Sequence, residues 1–335
     1  MNAPEINFDY TAKALRKIKP LKTPVFGELE KNILYTFSGK SAISLVLRYF
    51  RSQNALRDRT DQLLVPGWLG IPVYNTINKS CFPTTFFNKK VQGVLAYHQW
   101  GYPQNMDAIR QFCDEKKLFL IEDCAHAFES YYRGERVGTM GEVAIFSLAK
   151  FFPSVVGGAI YTKNESMRRF VTEAFRSDEK NLAKKVFVRR LAIDCSPTKQ
   201  NLIELERNYA IYDLLLACPA YSLAVARNEI AHGAIERRKH IHERYRAVFG
   251  GDAYPSSLAD ENVIPWVMPL FFETGQCKKV VAALRKKNIK SDIYHFDVNR
   301  NMLEPRFAPC VPLPCHQGMS GEDVDLIIAT VQKAL

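Results

Sequence analysis

The sequence lacks long uninterrupted apolar runs and low-complexity segments. Its longest apolar stretch, residues 210–226, is interrupted by Asp213 and Pro219. This excludes a membrane span there, because a spanning helix needs about 20 consecutive, predominantly apolar residues. The opening residues 1–5 show no basic start followed by an apolar core, so a secretory signal is not expected. The sequence therefore predicts a soluble cytoplasmic protein that has no membrane partner.

The cysteines form no CxxC pair, and no histidines neighbour them at metal-ligand spacing. This pattern argues against a metal site. Scattered cysteines of this kind are typical of reduced, mostly buried thiols in a cytosolic protein. The eight residues are Cys81, Cys113, Cys124, Cys195, Cys218, Cys277, Cys310 and Cys315.

The charge is not balanced, because the net charge is +11 over 335 residues. Basic runs such as residues 236–239 are mixed with acids in helix-like segments, which favours solvated helix faces. A phosphate-rich small substrate is a second interpretation of the basic excess. Nucleic acid is a third, and it rests on charge alone, since no helix-turn-helix or zinc signature accompanies it. We therefore expect no nucleic-acid partner.

Short apolar runs alternate with helical patterns between residues 62 and 162. A crossover helix is predicted over 106–116, and an amphipathic helix follows the small-residue turn at Ser38. Apolar runs separated by helices indicate strands that are covered on both faces, so the sequence predicts an α/β fold with a mainly parallel sheet. The predicted strands are 62–65, 93–96, 118–121, 144–146 and 158–161.

With 47% hydrophobic residues, the chain can bury a sizeable core. Residues 1–30 carry charges and prolines without a sustained period, and we interpret them as an N-terminal arm. A large domain is predicted over 31–249, whose second half, from 165, follows a helical pattern. The turn at Gly250 marks its end. Residues 250–335 are predicted to form a smaller α+β domain, with strands within 263–272 and 289–296 and helices over 278–287 and 322–333.

Lys150 is the strongest candidate for chemistry. It follows a predicted strand, and an acidic strand end at Asp123 precedes it by about one βαβ step. Ligands of open α/β sheets gather outside the carboxyl ends of the strands, where Asp123, Ser147 and Lys150 would all lie. A lysine can form an imine with the aldehyde of pyridoxal, and a carboxylate can pair with its ring nitrogen. The Ser38-Gly39-Lys40-Ser41 turn would supply a helix N-terminus for a phosphate.

Each of these residues also has a structural interpretation. A lone lysine at a strand exit is usually a solvated surface residue. A Ser38-type turn is more often only a helix cap. His126 lies in an apolar run, where a histidine commonly has a structural role. Trp68 and Tyr74 offer ring faces for stacking, and core packing is the ordinary role of both.

Four stretches of the chain together resemble the sugar aminotransferases of the DegT/StrS type, which depend on pyridoxal phosphate and have the aspartate aminotransferase fold, fold type I. A fifth stretch resembles the proline-flanked motif that precedes the last helix of that family. The resemblance spans residues 35–335 with gaps, and its third and fourth stretches together are specific. The five stretches are 37–42, 97–109, 121–127, 138–158 and 311–316.

The resemblance implies an enzyme that moves an amino group from an amino acid donor such as glutamate to a keto sugar, one linked to a nucleotide in our interpretation. By that resemblance Lys150 would be the Schiff-base lysine and general base, and Asp123 the partner of the pyridinium nitrogen. A lysine at this position favours transamination, because the dehydratase branches have histidine there. The other roles it implies are His126 beside the ring, Ser147 with Gly39, Lys40 and Ser41 at the phosphate, Trp68 stacked on the ring, and Tyr294 and His295 at the substrate.

The chain departs from the family pattern in three places. Lys150 follows the motif serine by three residues instead of the commoner five, although it precedes Gly157 by the usual seven. The segment between Val65 and Val94 is shortened. The asparagine-tyrosine-arginine motif that reaches across the family's homodimer is not recognisable near 219–226, and Asn208-Tyr209 lies upstream. These departures keep an alternative open, in which a catalytically degenerate relative acts as a binding or regulatory protein. In either case we expect a homodimer.

Overall fold

The computed structural model describes residue 18 and residues 21–176, 180–195, 212–251, 253–254 and 263–335. Most of the predicted N-terminal arm lies outside these residues, and so does the Asn208-Tyr209 pair. The described strands are β1 (Ile33–Thr36), β2 (Gln62–Leu64), β3 (Phe82–Thr84), β4 (Val91–Tyr97), β5 (Phe119–Asp123), β6 (Tyr131–Tyr132), β7 (Glu135–Arg136), β8 (Val143–Ser147), β9 (Gly158–Tyr161), β10 (Val267–Phe271), β11 (Tyr294–Asp297) and β12 (Phe307–Pro314).

The described α-helices range in length from one turn to about four turns. They are α1 (Gly39–Ser52), α2 (Ile71–Ile77), α3 (Met106–Lys116), α4 (Leu148–Phe151), α5 (Glu165–Arg176), α6 (Lys180–Cys195), α7 (Ala220–Ala231), α8 (Ala234–Phe249), α9 (Thr274–Lys286) and α10 (Gly321–Ala334). Short 3-10 turns cover Gly27–Asn32 and Gln99–Gly101. In the part of the chain that is described, no helix has both the length and the apolar character to cross a bilayer.

A seven-stranded sheet forms the centre of the molecule, in the order β1-β9-β8-β5-β4-β2-β3. Its strands β3, β2, β4, β5 and β8 run parallel, whereas β9 pairs antiparallel with β8 and β1 pairs antiparallel with β9. The predicted α/β fold with a mainly parallel sheet is therefore confirmed. The two strands that the sequence did not predict, β1 and β3, are its short edge strands.

Helix α1 shows why this part of the sequence folds as it does. The Ser38 side chain accepts a hydrogen bond from the Ser41 amide and so caps the helix. The apolar residues at helical spacing are buried against the sheet, and the ring of Phe50 stacks on that of Phe119 with centroids 3.9 Å apart. The small-residue turn therefore begins the helix where the pattern predicts, and the apolar face holds it on the sheet.

The C-terminal residues form a three-stranded antiparallel sheet in the order β10-β12-β11, with α9 and α10 beside it. The predicted helices over 278–287 and 322–333 correspond to α9 and α10. The strand predicted within 289–296 corresponds to β11, which begins at Tyr294. The division at residues 249–250 into two domains stays a prediction.

Strand β12 contains Pro309, Pro312 and Pro314, a composition that argues against a central strand. Its two halves, however, pair with different neighbours. Residues 307–310 pair with β11 and residues 310–314 pair with β10, so only Cys310 has a strand partner on both sides. Each proline can therefore turn its nitrogen, which carries no hydrogen, toward the side of the strand that has no partner. No hydrogen bond of the sheet is then lost.

Candidate active site

The carboxyl ends of three neighbouring parallel strands bring the predicted residues to one edge of the sheet. Tyr97 is the last residue of β4, Asp123 of β5 and Ser147 of β8. Lys150 follows at once in the one-turn helix α4. The rule that ligands bind outside the carboxyl ends of parallel strands thus places these four residues at the candidate site.

The carboxyl of Asp123 is buried, with 2% of the residue exposed. One of its oxygens accepts a hydrogen bond of 3.0 Å from the Ala125 amide. Burial raises the pKa of Asp123 to about 6, against the lowering effects of that amide and of the charge on Lys150. A desolvated carboxylate of this kind favours a cationic partner, because such a partner compensates for the lost water.

His126 is hydrogen-bonded to the neighbour of Asp123 in the sheet, and the charge on Lys150 affects its pKa. Its Nδ1 lies 2.6 Å from the hydroxyl of Tyr97, the residue paired with Asp123 between β4 and β5. Burial first, and then the charge on Lys150, holds the pKa of His126 well below its usual range, so the ring is neutral. Burial keeps the pKa of Tyr97 far above its usual range, with an opposing hydrogen bond from the Trp100 amide.

The Tyr97 hydroxyl and His126 Nδ1 share one hydrogen bond, whose direction depends on the tautomer of the ring. His126 is therefore a neutral ring that is hydrogen-bonded to the end of β4.

Trp266 lies against both His126 and Lys150. Its ring stacks on the His126 ring, with centroids 4.0 Å apart and an interplanar angle of 12°. The Lys150 Nζ lies 4.9 Å from the centroid of the same indole. The indole N–H donates a hydrogen bond of 2.8 Å to the backbone oxygen of Lys150. Lys150 itself is exposed, so its amine is accessible at the edge of the sheet.

The N-terminus of α1 lies beside Ser147. A Cβ built on Gly39 would lie 3.5 Å from the Ser147 Cβ and 3.9 Å from its Oγ. The Ser147 side chain makes no capping hydrogen bond to α4. The Ser41 amide is bonded to Ser38, and the Ser41 hydroxyl donates a 2.6 Å bond to the Tyr212 oxygen. Ser41 therefore stabilises the turn. The phosphate-binding role that the resemblance implies for this turn is left to the backbone amides of Gly39 and Lys40.

The Lys40 side chain is half-buried next to this turn. Its Nζ lies 5.2 Å from the centroid of the Tyr212 ring. Desolvation lowers the pKa of Lys40 to about 8, with a further lowering from Lys79 and an opposing effect of Asp213. Lys79 Nζ contacts both carboxylate oxygens of Asp213, at 2.8 and 2.9 Å. The start of α1 is therefore surrounded by a group of charges that contains two lysines and one acid.

Three predicted residues have no described contact with Lys150 or Asp123. Trp68 packs edge-on against Phe307 at 4.9 Å, and its buried indole nitrogen has no hydrogen-bond partner in the described part of the chain. Tyr294 packs edge-on against Trp100, whose backbone oxygen accepts a hydrogen bond from the Trp266 amide. His295 is exposed on β11. The roles of Trp68, Tyr294 and His295 stay predictions.

Sequence reasoning did not assign roles to Tyr97 or Trp266. Tyr97 lies within one of the stretches that carry the resemblance, and its place at a strand end was the available signal. Trp266 lies 116 residues after Lys150 in an apolar run that reads as a strand. No spacing rule connects the two residues, so only the folded chain reveals their contact.

His98, Glu122 and Cys124 form a buried group whose possible ligand atoms lie within 4.8 Å of one another. His98 Nδ1 accepts from the Gln104 amide, so its Nε2–H donates to Glu122 across 3.2 Å. The Glu122 carboxylate also accepts from three backbone amides, those of Gly138, Met140 and Gly141. These bonds give the group a structural role, which is to hold the loop after β7 against the end of β5.

Comparisons with known proteins point in one direction. The model of the DegT/DnrJ/EryC1/StrS aminotransferase family matches residues 83–332. A GDP-perosamine synthase of Vibrio cholerae is 39% identical over 80 residues, which are 23% of this chain and 22% of the relative. The chain therefore matches only about a fifth of that relative's length.

Solved structures resemble the chain over nearly its whole length. The aminotransferase PseC of Helicobacter pylori, involved in the biosynthesis of pseudoaminic acid, has a TM-score of 0.67 at 16% identity and covers 97% of this chain and 96% of its own. The PLP form of the putative sugar aminotransferase Spr1654 of Streptococcus pneumoniae has a TM-score of 0.64 at 16% identity, with 99% and 98% covered. At these identities the likeness shows the fold.

Proposed function

The chain belongs to the DegT/DnrJ/EryC1/StrS aminotransferase family, and from this we propose that it is a pyridoxal-phosphate-dependent aminotransferase. Its amino donor in this proposal is an amino acid such as glutamate, and its acceptor is a keto sugar carried on a nucleotide. The observation that carries the proposal is the meeting of Lys150, Asp123 and His126 at one sheet edge, where Asp123 ends β5, Lys150 follows β8, and the Trp266 ring contacts both Lys150 and His126.

The residues at this edge fit the cofactor. Asp123 is a buried carboxylate that favours a cationic partner, as the ring nitrogen of the cofactor is when protonated. His126 is a neutral ring at the same edge, stacked on Trp266. At the phosphate end, Gly39 leaves space beside the Ser147 hydroxyl, and the N-terminus of a 14-residue helix favours an anion.

When bound, the cofactor supplies an electron sink that stabilises negative charge at the carbon bearing the amino group. Lys150 would hold the aldehyde carbon. Once the amino donor has replaced it there, its free amine would take the proton from the carbon that bears the donor's amino group and deliver it to the aldehyde carbon. Proton transfer by a positioned amine contributes typically about 10² to 10⁴ in rate. Asp123, in its ionised form, would keep the ring nitrogen protonated. Because its pKa is raised to about 6, this role requires a pH above that value or a cation beside it.

The substrate class is proposed from the relatives and from charge. The curated relative is named for a product that carries a guanosine diphosphate group. The net charge of +11 favours the approach of a pyrophosphate-bearing substrate. We propose that the product enters a surface polysaccharide or a glycosylated metabolite.

We also propose that the enzyme is a cytoplasmic homodimer. Its seven cysteines with described side chains are free thiols, which fits a reducing compartment. Lys150 is exposed in the single chain, and a second copy could cover it. Light scattering of the purified protein measures the mass, and a mass near 38.3 kDa, that of one chain, would contradict the dimer.

The proposed function is tested by a visible spectrum of the purified protein with pyridoxal phosphate. We expect a long-wavelength band that borohydride bleaches, and a pyridoxyl group on the peptide that contains Lys150. Both should disappear in Lys150→Ala, whereas the exposed Lys163→Ala variant should retain them. If no pyridoxyl group is found on Lys150 in the wild-type protein, the proposed aminotransferase function is rejected.

The alternative is a degenerate relative that keeps the fold and binds without catalysis. The Ser41 hydrogen bonds support it, because they remove one predicted donor from the phosphate site. A protein that binds pyridoxamine phosphate but shows no glutamate-dependent conversion of the aldehyde form would support this alternative.

A further inference from the structure

Helix α4 carries Lys150 on a single turn, from Leu148 to Phe151. Such a short helix leaves its last carbonyls without partners in the helix. In this chain, side chains from distant segments donate to two of them. The Lys150 oxygen accepts from the Trp266 indole at 2.8 Å, and the Phe151 oxygen accepts from Gln317 at 2.7 Å and from Arg238 at 3.1 Å.

These donors are buried and fixed by further contacts. Arg238 is fully buried and also donates to Gln317 Oε1 at 2.7 Å and to the Cys315 oxygen at 2.6 Å. Its guanidinium lies 4.8 Å from the centroid of the Phe151 ring. Trp266 is 8% exposed, and its amide donates to the Trp100 oxygen at 2.8 Å. The lysine turn is therefore held from outside its own sequence.

Trp266 differs from the other donors because it contacts Lys150 twice. Its N–H holds the backbone of Lys150, and its ring lies under the Lys150 ammonium, an arrangement that stabilises a cation over an aromatic face. The same ring stacks on His126. One side chain thus fixes the relative placement of the amine and of the histidine.

We propose that Trp266 is a positioning residue for Lys150, which holds the amine of the shortened lysine turn beside His126 and Asp123. The turn has only two residues between Ser147 and Lys150, so few bonds of its own can set the direction of the side chain. Arg238 and Gln317 support the next carbonyl. The meaning of this placement for catalysis rests on the proposed function, whereas the placement itself does not.

The first test follows the position of the amine in the protein without cofactor. Lysines are dimethylated with ¹³C-formaldehyde, and the Lys150 signal is assigned by its absence in Lys150→Arg. Methyl groups over an indole face are shifted upfield by the ring, so the wild-type signal should lie upfield of the other lysines. Trp266→Leu should move it to the position of exposed lysines, and Trp266→Phe should move it part of the way.

The matched control is Trp100→Phe, because Trp100 is 7% exposed and its ring packs on Tyr294 and Phe296 instead of on Lys150. We expect the Lys150 signal to stay upfield in this variant. A wild-type Lys150 signal at the position of exposed lysines, or an equal change in Trp100→Phe and Trp266→Phe, would overturn the proposal.

The second test concerns the chemistry. Stopped-flow absorbance follows the attachment of pyridoxal phosphate to Lys150, and Trp266→Phe should slow it about fivefold to tenfold, the effect of losing one buried hydrogen bond. Affinity for pyridoxamine phosphate, which needs no lysine bond, should stay within about twofold, as expected for a positioning role. A slower attachment with an equal loss of affinity would instead indicate a structural role and contradict the proposal.

Together the two tests distinguish failure of the proposed function from failure of the positioning role of Trp266. A shifted Lys150 signal in a protein that never forms the covalent bond would reject the proposed function and keep the placement of Lys150 by Trp266. Covalent attachment at wild-type rate in Trp266→Phe would keep the function and reject the positioning role.

Discussion

Asp123 is a buried carboxyl at the centre of the candidate site. Its carboxyl is 2% exposed, and its pKa is raised to about 6, chiefly by burial. Between the ordinary carboxyl pKa and this value, the folded chain binds more protons than the unfolded chain. Stability should therefore fall as the pH rises from about 4 to about 6.

The variant Asp123→Asn removes this penalty. In the protein without cofactor, it should match the wild type in stability near pH 4 and exceed it by up to about 2–3 kcal/mol near pH 7. Urea unfolding at the two pH values measures the difference. The exposed Asp114→Asn variant is the control, and it should show no such change. A wild type that is the more stable protein at pH 7 would contradict the assigned pKa shift.

At the same scale, the candidate site was predicted in part from the sequence. Asp123, Ser147 and Lys150 lie where strand ends and motif spacing place them, because those rules depend on short stretches of chain. Gly39 lies beside Ser147 at the sheet edge, and the phosphate role of both residues stays a prediction. The contacts of Trp266 with Lys150 and His126 could not be predicted, since they depend on packing between segments more than 100 residues apart.

Among the elements, β9 and α1 meet where the phosphate would lie. Gly158, the first residue of β9, approaches the Ser38–Gly39 backbone so closely that an added Cβ would lie 2.3 Å from the Ser38 carbonyl carbon. Non-bonded heavy atoms do not approach so closely, so the backbone of β9 or of the Ser38–Gly39 turn would have to move. Glycine is required here by the close approach of two elements.

Gly158→Ala should therefore destabilise the fold by about 1–3 kcal/mol. It should also weaken binding of pyridoxal phosphate, because it displaces the start of α1. Gly275→Ala is the control, since a Cβ there meets nothing within 4 Å in the first turn of α9. Urea unfolding and equilibrium binding measure the two effects. Equal stability of both variants would show that α1 and β9 are farther apart than described.

Local sequence patterns predicted some of the helices and strands and not others. Helix α3 has the bounds that its periodicity predicts, because an amphipathic face of that length is read locally. Strand β12 was not predicted, since its three prolines are compatible with a strand only when each half has a different neighbour. Which neighbour each half meets depends on the order of the sheet, and no local pattern contains that information.

At the scale of the whole molecule, Arg238 joins three parts of the chain that are distant in sequence. It extends from α8 to the carbonyl of Phe151 in the lysine turn and to Cys315 and Gln317 after β12. A fully buried guanidinium is stable only when its donors are paired. In the sequence, Arg237 and Arg238 are neighbours in one basic run and cannot be distinguished. In the fold, Arg238 is buried and Arg237 is exposed.

Arg238→Ala should cost about 3–5 kcal/mol, because it leaves a cavity and removes the partner of the Cys315 carbonyl. Arg237→Ala is the matched control, since Arg237 is exposed and, among the described residues, donates to the carbonyls of His232 and Gln317, so its loss should cost less than about 1 kcal/mol. Urea unfolding measures both. If the two variants lose equal stability, Arg238 does not join the lysine turn to the C-terminal segment, and the support that we infer for Lys150 from that side is absent.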